Sequence, residues 1–381
     1  MKIILWLFGV LIINHGIGQT IKPVNLNDGI QIATLSEVGM KASVVNELTN
    51  QITSGYYPNI HSLLIYKDDK LAYENYFKGK DQYRGKDLGI IEHNINDLHG
   101  IRSISKSVVS ACIGIAIAQG KIRNTDQKIF NFFKEYAVYD TGMIKGLSIK
   151  HLLTMTSGLK WNEEVPYDNP ENSEIQMSRS ADPIGFILSC SMTALPGKEW
   201  QYNGGTTQLL SMIIERTTGK KVDEFAKEYL FSPLGITTFE WIKMSGTNNP
   251  AGASGLRLRS RDLLKFGILY HNKGKWNGKQ IIPRDWIEQS FHTTVNRPVS
   301  TTHPKPTGGY GYQFWTFNDT IQTHPVNIVA AVGNGDQRIY FDEKNNLLVV
   351  VTAGNYNIWT IQNNSYAILK RIYDSFHVKQ D

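Results

Sequence analysis

The stretch Gly100-Ile-Arg-Ser103-Ile-Ser-Lys106-Ser-Val-Val-Ser-Ala-Cys-Ile-Gly-Ile-Ala-Ile-Ala-Gln119-Gly120 decides how this chain is read. From Ser103 to Gln119 it has a helical pattern that is apolar on nearly every face, and Gly120 is a natural stop. A helix that is apolar all round is a buried one. At its head stands S-x-x-K. Ser103 and Lys106, three residues apart, share a helix face at about 5–6 Å, and the positive end of the helix dipole favours an alkoxide on Ser103. Burial should push the Lys106 amine toward neutrality, the form that takes a proton from a hydroxyl. The bland alternative is that Ser103 only caps the helix and Lys106 lays its stem along apolar surface.

Working outward, a second S-x-x-K occurs at Ser157-Gly-Leu-Lys160. It follows the end of a helical run, where the dipole disfavours an alkoxide, so it reads as structural. Upstream, Ser36 to Ile52 has an amphipathic helical pattern. His61 to Tyr66 and Leu71 to Phe77 read as strands joined by the polar turn Lys67-Asp-Asp-Lys70. Residues Gly79 to Asn96 are polar and read as a loop. Helical patterns dominate the middle, at Ile149 to Met155, Pro183 to Ser189, Thr206 to Thr218 and Val222 to Leu230. A further helix, Arg261 to Asn272, leads to the tight turn Trp276-Asn-Gly-Lys279. Strand patterns follow at Tyr310 to Phe317, Val326 to Ala331, Arg338 to Phe341 and Leu347 to Thr352, and a helix from Thr360 to Phe376 closes the chain. Strands at both ends with helices between predict an α/β (α+β) fold. One antiparallel sheet flanked by helices is expected from residues 20–120 and 248–381, with a mostly helical domain, 121–247, inserted.

Composition sets the class. The chain has 381 residues, 41% hydrophobic and 19% charged, which fits a loop-rich globular protein rather than a disordered one. Lys2, the apolar run Ile3 to Ile13 and the small residues around Gly16 and Gly18 predict a leader over residues 1–19 that is removed on export to the periplasm or exterior. That run is shorter than the ~20 residues a membrane span needs, so no stable membrane insertion is expected after cleavage. Two cysteines make no disulfide framework. The net charge of +6 is scattered, giving no nucleic-acid stripe. The ten histidines lack ligand spacing, so no metal and no organic cofactor are expected. A G-x-S-x-G elbow is absent, which argues against an α/β-hydrolase.

The wider pattern resembles the serine β-lactamase and penicillin-binding-protein superfamily. It is nearest its class C-like branch, with D-alanyl-D-alanine carboxypeptidases, family VIII esterases and nylon-oligomer hydrolases. The similar segments are Ser103-Ile-Ser-Lys106, Leu152-Leu-Thr-Met-Thr-Ser-Gly-Leu159, Trp200-Gln-Tyr-Asn-Gly-Gly205, Pro233-Leu-Gly235, Gly255-Leu-Arg-Leu-Arg-Ser-Arg-Asp262, Trp276-Asn-Gly-Lys279 and Gly309-Tyr-Gly-Tyr312. The resemblance implies that Tyr202 opens a Y-x-N motif and shares the proton of the Ser103 nucleophile with Lys106; beside an ammonium its phenol should be lowered in pKa. It places the oxyanion hole on the amides of Ser103 and Asn334, and substrate contacts at Asn203 and Gly333. Two departures stand out. Gly204 occupies the Asn position of Y-x-N, with Asn203 one place early. Ala331-Val-Gly333 occupies the K-T-G or H-x-G position, so the cation that holds a substrate carboxylate is missing unless Arg338 or Arg257 supplies it. The reading is therefore a serine hydrolase forming an acyl-enzyme on small-molecule or short-peptide esters or amides. A D,D-carboxypeptidase or β-lactamase is the enzymic alternative, and a silent binding protein on the same fold is the alternative of another class.

Overall fold

Alternation along the strands shows how the sheet is covered. In β1 (Ile60–Lys67), Leu63 and Ile65 point into one apolar cluster, Leu64 and Tyr66 into another. The period of two puts successive side chains on opposite faces, so a strand with no polar face is buried on both. The computed structural model describes residues 22–297, 308–322, 324–358, 361 and 363–376. The expected leader, 1–19, lies outside them, as do Thr360 and Gln362 of the expected closing helix.

In chain order the first strands are β1, β2 (Lys70–Tyr76), β3 (Lys78–Tyr83), β4 (Lys86–Glu92) and the short β5 (His99–Gly100). Short strands β6 (Glu240–Trp241), β7 (Leu256–Leu258), β8 (Lys275–Trp276), β9 (Lys279–Gln280) and β10 (Val295–Asn296) follow. Then come β11 (Gly308–Tyr310), β12 (Trp315–Ile321), β13 (His324–Gly333), β14 (Gln337–Asp342) and β15 (Leu347–Ala353). Eight of them form one antiparallel sheet in the order β10-β11-β12-β13-β14-β15-β1-β2, so the N-terminal hairpin completes a sheet begun by the C-terminal strands. Helices α1 (Ala42–Thr53) and α10 (Asn364–Asp374) belong to the cluster on one face. Helices α2 (Ile104–Ala118), α8 (Ser260–His271) and α9 (Arg284–Phe291) belong to the cluster on the other. Between α2 and α8 lie α3 (Ile149–Leu153), α4 (Ser173–Arg179), α5 (Pro183–Leu188), α6 (Gly204–Thr218) and α7 (Val222–Ala226). These helices share one continuous core with the sheet, through residues such as Val108, Ile213, Phe225 and Ile339.

Helix α2 positions the chemistry. Thirteen of its residues, Ile104 through Ala116, are buried, and Gly120 ends it in the left-handed region at φ 69°. The buried hydroxyls are not wasted: Ser107 and Ser110 donate to the carbonyls of Gln313 and Tyr312 at 2.8 and 3.0 Å. The predicted turn at Trp276 joins β8 and β9 with Asn277 and Gly278 at φ 46° and 78°, the pair of left-handed residues that a two-residue hairpin requires.

Three segments differ from the sequence reading by more than their end residues. The polar segment 79–96 contains the β3–β4 hairpin; its outer strand is largely exposed and so carries no burial alternation to read. The pattern from Ser36 to Ile52 breaks into a short turn of helix, Ser36–Val38, and α1, because Gly39 adopts φ 69°. The run from Tyr310 to Phe317 is two strands, separated where Gln313 turns at φ 66°.

Candidate active site

Ser103 is the residue before α2, and its hydroxyl makes no capping hydrogen bond, so the role of a mere helix cap does not describe it. The preceding Arg102 is held at φ 52°, a left-handed conformation that costs a non-glycine residue about 1 kcal/mol or more. Its guanidinium stacks on Tyr356, 4.5 Å from the ring centre. Lys106, one turn along and only 1% exposed, donates from Nζ to Ser103 Oγ at 3.2 Å and to the Ala253 carbonyl at 3.0 Å. The same ammonium lies 4.9 Å from the centre of the Tyr202 ring, and the Tyr202 hydroxyl interacts with both Ser103 and Lys106. The structure thus brings Ser103, Lys106 and Tyr202 together from segments a hundred residues apart.

Beneath them sits a pair of acids the sequence reading missed. Glu174, in the first turn of α4, places Oε2 3.5 Å from Lys106 Nζ. Its Oε1 accepts from Ser254 Oγ at 2.5 Å. Glu163 accepts from Trp161 Nε1 at 2.5 Å, from Tyr167 Oη at 2.9 Å and from the amide of Gly204. The two carboxyls also interact with each other.

The protonation states follow from this cluster. Burial alone would depress Lys106, but Tyr202, Glu174 and Glu163 outweigh it and hold the ammonium above its ordinary pKa. The expected drift of Lys106 toward neutrality is therefore corrected: a buried cation follows its partners, and here two carboxylates face it. Tyr202 is raised as well, first by burial, with Lys106 pulling the other way and Glu163 adding to the rise. The expected lowering is corrected too. Burial, reinforced by Glu174, pushes Glu163 up to about 7, while Lys106 opposes the rise. Glu174 is kept below the usual carboxylate range: burial would raise it, but Lys106, the neighbouring Glu163 carboxyl and the Ser254 hydroxyl prevail.

The other expected site residues divide. Asn203 is fully buried and caps α6, its side-chain oxygen accepting the Thr206 amide at 3.1 Å, while its side-chain amide nitrogen has no hydrogen-bond partner among the described residues. Gly333 lies at the end of β13, where a Cβ would overlap the Ile101 carbonyl oxygen and crowd Arg102. That close approach sets the following residue, Asn334, beside the turn into Ser103; the Asn334 side chain exchanges two hydrogen bonds with Asn357. Ala331 is fully buried in the main core, so a lysine there would bury its charge. Neither proposed substitute cation points at Ser103 as a spare group. Arg338 binds the Gly333 and Gln337 carbonyls and Asp336, and Arg257 binds the Leu98 carbonyl and Glu240. In the second S-x-x-K, Ser157 is buried with its hydroxyl accepting the Leu159 amide, while Lys160 is exposed.

An aromatic wall adjoins Tyr202. Trp315 stands 5.7 Å from Tyr202 and from Trp200, and 5.4 Å from Tyr310, ring centre to ring centre, with Met155 behind. Arg297 lies 4.7 Å over Trp315. These rings form a small apolar cluster of their own, with Met155, Tyr310 and Trp315 buried and Trp200 and Tyr202 at its partly exposed edge.

Contrary to the expectation of scattered histidines, His61, Asp81 and His93 bring one ligand atom each within 4.8 Å of one another. The arrangement does not fit an ion. His61 and His93 stack at 3.8 Å with planes 20° apart, so their in-plane lone pairs do not converge. His61 also meets His99 at 2.8 Å and the Lys80 carbonyl at 3.0 Å through its two ring nitrogens.

Comparison with known proteins bears on the family and the fold. The family model described as Beta-lactamase matches residues 61–370. Among curated relatives, the chain is 26% identical over 272 residues to the 6-aminohexanoate-dimer hydrolase of Paenarthrobacter ureafaciens, across 67% of this chain and 66% of that protein. The chain thus spans just under two thirds of that relative's length. Among solved structures, a simvastatin synthase variant from Aspergillus terreus superposes with a TM-score of 0.67 at 13% identity, covering 89% of this chain and 98% of that one. EstCE1, a hydrolase with promiscuous acyltransferase activity, gives 0.66 at 15% identity over 85% and 98%. At such identities the structural likeness speaks for the fold. With the family model spanning most of its length from β1 to α10, the chain belongs to the Beta-lactamase family.

Proposed function

We propose that the protein is a serine hydrolase that cleaves small esters or amides, including those of short peptides, through an acyl-enzyme on Ser103. The observation that carries this is the contact of 3.2 Å between Lys106 Nζ and a Ser103 hydroxyl that no helix cap consumes. Ser103 Oγ attacks the carbonyl carbon, and its proton passes into the Lys106–Tyr202 pair, then to the leaving group. The amides of Ser103 and Asn334 hold the oxyanion; the close approach of Gly333 to Ile101 supports that placement. Water then releases the acid. The hydrolase activity of a relative with this family's sequence supports the reading. The uncharged Ala331, and the engagement of Arg338, Arg257 and Arg297 with other groups, favour neutral esters over penicillins and D-Ala-D-Ala peptides, whose free carboxylate needs a cation.

Fluorophosphonate labelling with peptide mapping tests the nucleophile. Label on Ser103, lost in Ser103→Ala, is the expected result; label on Ser157 moves the nucleophile to the second S-x-x-K, and no label favours the silent binding protein. A panel of p-nitrophenyl esters, nitrocefin and D-Ala-D-Ala peptides tests the substrate class. A charge-assisted contact to a carboxylate is worth ~1.5–3 kcal/mol, so its lack should leave nitrocefin about one to two decades below the best ester. Nitrocefin turned over faster than every ester would reverse the preference.

A further inference from the structure

We propose that Glu174 stands in for the missing asparagine of Y-x-N, holding Lys106 beside Ser103 and fixing its charge. This rests on the acyl-enzyme reading above and deepens it. The motif offers Gly204 where a side chain would approach the lysine. In the structure that space is filled: a Cβ on Gly204 would overlap Glu174 Oε2 and press on Glu163 Oε2. The same Glu174 oxygen lies 3.5 Å from Lys106 Nζ and, though buried, receives no conventional hydrogen bond. The carboxylate thus occupies the ground that a side chain at 204 would enter, and it meets the lysine from there.

The placement is built rather than incidental. Asn172 caps α4 by accepting the Glu174 and Ile175 amides at 3.0 and 3.3 Å, and donates to the Val165 carbonyl at 3.0 Å. Ser254, adjacent to the Ala253 carbonyl that also binds Lys106, fixes the other Glu174 oxygen. Glu163 closes the arrangement by accepting the Gly204 amide. Four separate segments therefore converge on one ammonium. The exchange of an amide for a carboxylate has a chemical consequence: an amide positions a lysine without changing its charge, whereas a carboxylate also keeps it protonated. Glu174 is a positioning residue acting through Lys106, and Gly204 is the absence that admits it.

The test is the rate of fluorophosphonate labelling at Ser103 as a function of pH. Glu174→Gln keeps the shape and removes the charge. Its rising alkaline limb should move to lower pH by ~1–3 units, the effect of an opposite charge within a few ångströms. Glu174→Ala should slow labelling on the order of 10²-fold, the scale of lost acid–base organisation. Adding Gly204→Asn to it should recover at least about tenfold, whereas Gly204→Asn alone is damaging. A Glu174→Gln profile that superimposes on the original overturns the inference, as does a folded Glu174→Ala/Gly204→Asn protein no faster than Glu174→Ala. If the double variant does not fold, the Glu174→Gln profile decides alone. No labelling of Ser103 in the unsubstituted protein defeats the acyl-enzyme reading and this one together; labelling with an unmoved profile defeats only this one.

Discussion

Replacing Lys106 by methionine separates the electrostatics of the site from its chemistry. Methionine keeps most of the apolar stem, so the cavity term is small, but the contacts to Ala253, Ser103 and Glu174 vanish. Glu174 is then a buried carboxylate without its cation. Removing one partner of a buried ion pair costs about 3–5 kcal/mol while the remaining group stays charged. The loss depends on pH, and its sign is fixed. In the unsubstituted protein Glu174 is held below the usual range by Lys106, so this pairing contributes stability above the unfolded pKa and loses it on acidification. In Lys106→Met, burial is no longer opposed and the Glu174 pKa rises. The unfolded chain then releases its proton first, and stability falls as pH rises through the new pKa. Urea unfolding followed by tryptophan fluorescence should show the variant a few kcal/mol weaker at about pH 8.5, with a smaller deficit at about pH 5.5. Lys106→Met/Glu174→Gln should regain most of the loss at high pH. Ser103→Ala, which removes no cap, should stay close to the unsubstituted protein at both values. A Lys106→Met protein as stable as Ser103→Ala at pH 8.5 would refute the buried pair.

Tyr202→Phe should lower the acylation rate by about 10²–10⁴, measured as the burst with a p-nitrophenyl ester. Combined with Lys106→Met its effect should be less than multiplicative, since the two act as one unit; an undiminished burst removes Tyr202 from the mechanism. Mass spectrometry of the exported protein should show the segment through Gly18 or Gln19 removed, and an intact Met1 would overturn the proposed leader.

Much of the architecture was legible because it rests on local pattern. The all-round apolar stretch after Ser103 can only be a buried helix, and Asn277-Gly278 can hardly be anything but a hairpin turn. The exposed β3–β4 hairpin was not legible: its outer strand buries almost nothing, so it lacks the period that marks a strand. Asn203 is ambiguous for a different reason. An asparagine one residue before a helix is, by chemistry, as good a cap as a ligand contact, and here its oxygen caps α6 while its amide nitrogen is left without a partner among the described residues. Glu163 and Glu174 lie in an acidic, loop-rich segment that resembles solvated surface. The visible signal was indirect, the glycine at 204 where the family pattern wants a side chain.

That glycine also explains why the charge of Lys106 was misjudged. Desolvation can be read from a sequence, because it depends on the apolar neighbours along one helix. The partners that oppose it come from residues 163, 174 and 202, and folding alone joins them. The resulting resting state constrains the chemistry of the proposed reaction. An ammonium donating to Ser103 Oγ occupies a lone pair of that oxygen and directs the hydroxyl hydrogen away from itself. Tyr202 is the other group of the site in contact with the hydroxyl, and it is neutral at rest. Neither group is a ready base. The proton of Ser103 therefore leaves through the minor form of the pair, one proton short, whose population grows about tenfold with each unit the pH rises toward the governing pKa. A site arranged in this way gains a fixed geometry at the nucleophile, and its rate is set by how strongly the carboxylates beneath hold the proton on Lys106.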